Sequence, residues 1–228
     1  MNRPEIFVFD AYGTLFDVAA AARRLAADGR FPALARTWEA LAESWRLKQL
    51  QYSWIRALAG NHADFRQVTA EALDWALEAR GLAGIPGLAE ELMALYDRLD
   101  AYSEVPDMLA SLRGKGAKTA ILSNGSPAML ESACRSAGIE ALLDGVLSVE
   151  EVGVFKPAPA VYGLVEKHFS VPPAHTVFVS ANGWDAAAGA GFGFRSVWVN
   201  RRREPVDRLP WRPHVVLDDL STVPELAG

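Results

Sequence analysis

The amino-acid sequence predicts an α/β fold, a doubly wound parallel sheet that carries a large all-helical insertion. Three observations predict it. Short β-rich runs recur along the chain, each ending at a small, polar or charged residue. Helical periodicities lie between them, and strand alternating with helix is the pattern of a parallel sheet covered on both faces. The third observation is a long stretch after the first run, from about Val18 to Arg98, that holds no convincing strand.

The first run, Glu5 to Phe9, predicts a strand, and the insertion follows it. There Leu34, Trp38, Leu41, Trp45, Tyr52, Ile55 and Leu58 follow three- and four-residue steps, as do Phe65, Val68, Ala72 and Trp75 after the Gly60-Asn61 break. This stripe is expected to be core between helices, in a layer over one end of the sheet. Ala117 to Leu122 and Gly145 to Leu147 predict the next strands, with a helix over Pro127 to Ala137 between them, its Met129, Leu130 and Ala133 on one face. Ala158 to His168 reads as a further helix with Val161, Leu164 and Val165 inward; Thr176 to Val179, Ser196 to Val199 and His214 to Leu217 complete the strands. The glycines of Gly189 to Gly193 precede a strand where a dinucleotide loop would follow one, so a helix end and turn is expected there. The core is therefore assigned to 1–17 and 99–228 and the helical part to 18–98.

Composition excludes several functions. With 50% hydrophobic and 22% charged residues, the chain is neither disordered nor of low complexity. Its net charge of −5 gives no electrostatic footprint for nucleic acid or an anionic membrane. The single Cys134 allows no internal disulfide, and the apolar run Ile6 to Phe9 is too short for a membrane span or a signal core, so a cytoplasmic location is expected. His62, His168, His175 and His214 show no metal-ligand spacing, and Arg201-Arg202-Arg203 reads as a solvated loop. Trp198 and Trp211 are expected to cover core or a subunit contact, which leaves a homodimer open.

Ligands of open α/β sheets bind beyond the carboxyl ends of the strands. The residues there are few and polar: Asp10, Tyr12, Gly13 and Thr14 after the first strand, Ser123 and Asn124 after the second, and Ser180, Asn182 and Asp185 after the fourth. Lys156 sits in a Val154-Phe155-Lys156-Pro157 turn, where the proline disfavours helix at the lysine and keeps it on a loop. Each residue alone reads as a turn, a cap or a surface charge. Their gathering at one edge from four distant segments reads as a site.

Asp10-Ala11-Tyr12-Gly13-Thr14-Leu15-Phe16-Asp17, Ile121-Leu122-Ser123-Asn124-Gly125-Ser126, Val154-Phe155-Lys156-Pro157 and Phe178-Val179-Ser180-Ala181-Asn182-Gly183-Trp184-Asp185 resemble the four signature segments of the haloacid dehalogenase superfamily. More narrowly they resemble its type II, L-2-haloacid branch, as does Trp45-Arg46-Leu47-Lys48-Gln49-Leu50-Gln51-Tyr52, which is similar to that branch's arginine-bearing cap segment. The resemblance implies a Rossmann-like core with a helical cap. It implies hydrolytic dehalogenation of short-chain (S)-2-haloalkanoic acids to (R)-2-hydroxyalkanoic acids, with Asp10 as nucleophile, an aspartyl ester as intermediate, and neither metal nor cofactor.

The remaining roles follow from the same resemblance. Arg46 and Asn124 would hold the leaving halide; Ser180, Asn182 and Asp185 would orient the hydrolytic water, assisted by Lys156; Thr14 and Ser123 would orient Asp10. Ala11, Tyr12, Arg46, Leu50, Phe65, Ser123, Asn124 and Trp184 would meet the substrate, although Phe65 reads equally as cap core. Two departures, Leu47 where a polar residue is expected and Ala181 in place of serine, bear on substrate choice and water placement. The competing reading is a Mg²⁺-dependent phosphatase of the same superfamily, which needs Asp-x-Asp so that a second carboxyl can protonate an alkoxide. Tyr12 stands there instead, and halide leaves unprotonated. A non-catalytic carboxylate-binding member is the third reading, against which the complete set Asp10, Arg46, Ser123, Lys156 and Asp185 speaks.

Overall fold

The computed structural model describes residues 3–228, so the first two residues of the predicted 1–17 segment lie outside the described residues. In chain order, β1 (Ile6–Phe9) leads into helices α1 (Ala20–Ala27), α2 (Pro32–Ala35), α3 (Trp38–Ala59), α4 (Phe65–Ala79) and α5 (Leu88–Tyr96). The chain continues through α6 (Val105–Gly114), β2 (Lys118–Ser123), α7 (Pro127–Ala137), β3 (Gly145–Ser148), α8 (Pro159–Phe169), β4 (Thr176–Ser180), α9 (Gly183–Phe192), β5 (Arg195–Val199) and β6 (Val215–Leu217). Each predicted strand is present with its ends shifted by at most one residue. Ser123 and Ser180 thereby become the last residues of their strands.

All six strands are parallel, in the order β3-β2-β1-β4-β5-β6. β1 and β4 are apolar without alternation because both faces are covered, and every residue of each is buried. The chain moves outward from β1 to β3, returns to β4 beside β1, and moves outward again. The connections therefore diverge between β1 and β4, which opens a crevice at the carboxyl ends of these two strands. Gly189 brings α9 close to β4, since a Cβ there would lie 2.5 Å from the Phe178 ring. The glycine alternation thus serves helix-to-sheet contact inside α9 as well as the turn at Gly193.

The helical segment leaves and re-enters the sheet layer side by side. Phe16 and Ala101 form an antiparallel bridge, flanked by Asp17 N–H donating to Asp100 O (2.9 Å) and Tyr102 N–H to Leu15 O (2.9 Å). Arg201 corrects the expectation of a solvated loop. It lies 3.8 Å from the centre of the Tyr102 ring, pairs with Glu104 at 2.7 Å and donates to the Thr14 carbonyl at 3.2 Å, so it braces this crossing.

Within the insertion, α3 and α4 pack along each other, and Trp45 Nε1 donates to Thr69 O at 2.9 Å. Leu34, Leu41, Trp45, Phe65, Val68 and Ala72 are buried as expected, but Ile55 and Leu58 are 61% and 89% exposed and Trp75 is 41% exposed. On α3 the cause is geometric: each three-residue step turns about 300°, so two in succession from Tyr52 carry the stripe about 120° away from the packed face. Trp198 is buried and donates to Ala181 O, while Trp211 is half exposed and closely overlies Gly191. Cys134 is buried, and burial pushes its thiol up to about 12. Among the described residues no helix is long and apolar enough to cross a membrane.

Candidate active site

Asp10 directly follows β1, and its N–H extends the ladder to Val179 O at 2.9 Å, which fixes the carboxylate over the crevice. The next residues turn back tightly, with the Ala11 carbonyl accepting from the N–H groups of Thr14, Leu15 and Phe16 and Gly13 at φ +89°. The turn returns the Thr14 hydroxyl to Asp10, where it donates to Oδ2 at 2.9 Å while accepting from Ala181 N–H at 2.8 Å. Asn182 Nδ2 donates to the same oxygen at 2.9 Å, and Lys156 Nζ to Oδ1 at 3.2 Å. Asp10, 6% exposed, is thus a buried carboxylate with donors on both oxygens.

Lys156 lies on the loop before α8, and its backbone N–H donates to Asn124 Oδ1 at 2.9 Å. Its ammonium bridges Asp10 and Asp185, reaching Asp185 Oδ2 at 2.9 Å. Burial works against the charge on Lys156, but the two carboxylates outweigh it and hold the pKa above the ordinary lysine value. Asp185, in the first turn of α9, is fully buried; burial pushes its carboxyl up, against the opposing pull of Lys156. The Tyr162 hydroxyl of α8 donates to Asp185 Oδ1 at 2.6 Å, and burial, then the neighbouring carboxylate, keeps that phenol protonated.

The sequence does not point to Tyr162. Its signal was concealed because it is flanked by the apolar residues Val161, Leu164 and Val165 on a helix that reads as core, and only the packing of α8 against α9 brings it to Asp185.

From the insertion, Arg46 of α3 reaches the strand ends. Its Nη2 donates to Tyr12 O at 3.2 Å and Asn182 Oδ1 at 3.1 Å, and its Nη1 to Gln49 Oε1 at 2.8 Å. The Tyr12 ring lies 5.8 Å from Phe65 and 5.6 Å from Tyr96, and it closes on Gly125, where a Cβ would meet it at 2.7 Å. Phe65 also lies 6.0 Å from Phe155, so it sits where the insertion meets the sheet layer. Trp184 meets Trp54 of α3 edge to face at 5.4 Å.

Ala11, Tyr12, Thr14, Arg46, Phe65, Lys156, Asn182, Trp184 and Asp185 therefore gather around Asp10 by bond, ring contact or chain adjacency. The other expected residues are held differently. Ser123 Oγ accepts from Gly125 N–H at 3.0 Å and Ser180 Oγ from Asn182 N–H at 3.1 Å, so each shapes the turn leaving its strand. Asn124 supports the Lys156 backbone, and Leu50 lies half-buried one turn after Arg46. Leu47 is 51% exposed, and Ala181 contributes its N–H, which serine would supply equally.

Two surface clefts, of about 300 Å³ beside Arg56 and Glu71 and about 490 Å³ beside Ser148 and Phe169, lie away from this cluster. Among the described residues no group of three or more His, Cys, Asp and Glu side chains suits a metal ion. The two carboxylates that face each other here share an ammonium, which a divalent cation would have to displace.

A family model of haloacid dehalogenase-like hydrolases matches residues 4–193. The chain is 41% identical over 219 residues to (S)-2-haloacid dehalogenase 1 of Pseudomonas sp. strain CBS-3, covering 96% of this chain and 94% of that protein. It is 43% identical over 194 residues to (S)-2-haloacid dehalogenase of Xanthobacter autotrophicus, covering 85% of this chain and 74% of that one. The solved structure of the L-2-haloacid dehalogenase from Xanthobacter autotrophicus with chloropropionic acid covalently bound superposes with a TM-score of 0.86 at 35% identity, over 98% of each chain.

Proposed function

Because the chain belongs to the haloacid dehalogenase-like hydrolase family, we propose that it converts short-chain (S)-2-haloalkanoic acids and water to (R)-2-hydroxyalkanoic acids and halide, with Asp10 as the nucleophile. The observation that carries this reading is the Lys156 ammonium set between Asp10 and Asp185. Displacement at a tetrahedral carbon needs an ionised carboxylate shielded from water, and burial alone favours the neutral acid. A buried cation at hydrogen-bond distance offsets that penalty, and the Thr14 and Asn182 donors steady the second oxygen.

In this reading an Asp10 oxygen forms a bond to C2 from the face opposite the halogen, and the carbon–halogen electron pair leaves as halide. Backbone N–H groups of the Ala11–Tyr12 turn and the Ser123–Asn124 turn receive the substrate carboxylate, while Tyr12, Leu50, Phe65 and Trp184 enclose its alkyl part. Arg46, with Asn124, stabilises the departing halide. Water then adds to Cγ of Asp10, oriented by Asp185, Asn182 and Ser180 with help from Lys156. One of its protons ends on the hydroxyl of the product, the other passes to solvent, and the carboxylate is restored. Tyr162 belongs to this second step through its bond to Asp185.

A core of 1–17 and 99–228 bearing a cap of 18–98 is part of the same proposal, supported by the paired crossing at Phe16 and Ala101. So is a cytoplasmic location, which the single buried cysteine suits. The test is one turnover of 2-chloropropionate in ¹⁸O-water, followed by mass analysis of the peptide containing Asp10. Label in that peptide is expected, and label confined to the hydroxy acid would overturn the ester route.

A further inference from the structure

We propose that Gln49 is a positioning residue for halide departure, which sets the direction of Arg46 from inside the insertion; this inference rests on the halide role given to Arg46 above. Gln49 is 1% exposed and lies one helical turn after Arg46 on α3. The orientation of its amide is dictated from both sides. Arg46 has no acceptor, so the group facing its Nη1 at 2.8 Å must be the amide oxygen. At the other end the Thr69 hydroxyl donates its proton to Phe65 O at 2.7 Å, so toward Gln49 it accepts, and Nε2 donates to it at 2.8 Å. Nε2 also donates to the Tyr96 hydroxyl at 3.1 Å, and burial keeps that phenol protonated.

The guanidinium is therefore held by unlike means at its two ends. Nη2 is tied to the sheet layer through Tyr12 O and Asn182 Oδ1, two groups that lie beside the reacting carboxylate. Nη1 is tied to the insertion through an amide whose own anchors, Thr69 and Tyr96, stand on α4 and α5. A halide displaces no backbone ladder in order to bind here; it only requires Nη2 to turn from Tyr12 and Asn182. Gln49 keeps Nη1 fixed during that exchange, so the arginine pivots on one bond. Without it a long side chain must be ordered in the transition state itself.

This role predicts dependence on the leaving group. Chloride departs less readily than bromide and draws more on a well-placed cation, whereas a merely structural defect slows both substrates alike. The experiment measures kcat/KM, which reports all steps through carbon–halogen cleavage, for 2-chloro- and 2-bromopropionate in Gln49→Leu, Gln49→Glu and Arg46→Lys, with melting temperatures alongside. Loss of a hydrogen bond to a charged group predicts a fall of about 10- to 100-fold on the chloro acid in Gln49→Leu, with the bromo-to-chloro ratio rising at least about threefold. Gln49→Glu keeps an acceptor toward Arg46 and, although it loses the Nε2 bond to Thr69, stays anchored by the Tyr96 hydroxyl, which already lies 3.4 Å from Oε1 as a donor, so it is expected to hold the ratio near that of the natural enzyme. Equal slowing of both substrates in Gln49→Leu, or a ratio in Gln49→Glu raised as far as in the leucine variant, would overturn the positioning role while Arg46→Lys still shows the dependence. If Arg46→Lys itself treats both halogens alike, the halide role of Arg46 falls and this inference falls with it.

Discussion

The strand-end cluster and the helical insertion contribute to the same site by different physical means. Asp10 and Asp185 are placed by the backbone: one continues the β1 ladder, the other lies in the first turn of α9, five residues after the serine that ends β4. Their charges are almost wholly withdrawn from water and are offset by the one ammonium of Lys156 at the same depth. Arg46 stands in the middle of a long helix, half-buried, and reaches the site only through its side chain and the partners that hold it. Removing a charged group from the first region should leave a buried charge without its partner, whereas removing one that holds Arg46 should change the direction of its guanidinium more than the fold.

The largest effect should follow from breaking the charge balance. Lys156→Met leaves Asp10 and Asp185 buried without their cation, and removal of one member of a buried ion pair typically costs about 3–5 kcal/mol. Turnover should fall by at least about a thousandfold, because one carboxyl then takes up a proton and Asp10, the proposed nucleophile, loses its orienting donor. The natural chain also has a pH signature. Folding raises the pKa of Lys156, so the folded state binds its proton more tightly than the unfolded one, where the value is 10.5. The stabilisation is complete below that value and is lost as pH rises through the folded pKa. Urea unfolding between about pH 9 and 12 should show this alkaline decline in the natural chain and lose that contribution in the methionine variant. Equal slopes would remove Lys156 from the balance.

A smaller and more selective effect is expected at Tyr162. Tyr162→Phe deletes one donor to a buried carboxylate, a bond of about 1.5–3 kcal/mol, so ester hydrolysis should slow by about 10- to 100-fold. In the proposed reaction halide release draws on Asp10 and Arg46, so it should be nearly unchanged in its first turnover. Rapid mixing should therefore show a burst of halide stoichiometric with enzyme, followed by slow turnover. Equal slowing of both phases would place Tyr162 in general support of the fold.

The same division decides what the sequence made legible. Strand ends are marked locally, by an apolar run that stops at a polar residue, so Asp10, Thr14, Asn182 and Asp185 are legible in the sequence together with the sheet, while Lys156 is marked by the proline that follows it. Tyr162 escaped because a buried tyrosine inside a helical apolar pattern has the same local signature whether its hydroxyl meets a carboxylate or water. Gln49 escaped for the corresponding reason, since nothing in its neighbours says that Thr69 and Tyr96 converge on it. Ser123 and Ser180 end their strands as the sequence indicates, and what the sequence does not reveal is that each hydroxyl also accepts from a backbone N–H two residues on. Arg201 carries no such mark, because a basic run has the same sequence whether it is solvated or, as here, lies against Glu104 and the Tyr102 ring.

The smallest effect tests where the insertion's core ends. Leu41 and Leu58 lie on the same helix, one fully buried and the other 89% exposed, although both fall in the apolar spacing of the sequence. Leu41→Ala should cost about 2–5 kcal/mol, the range for truncating a leucine in a packed core. Leu58→Ser should change stability by no more than about 0.5 kcal/mol, as surface positions do. Urea midpoints of the two variants, taken at several protein concentrations, read the difference directly. A cost above about 1 kcal/mol at Leu58 that grows with concentration would mean that a second copy of the chain covers this end of α3. The exposed leucine would then be interface, and the contrast between the two ends of the helix would belong to the dimer and not to the single chain.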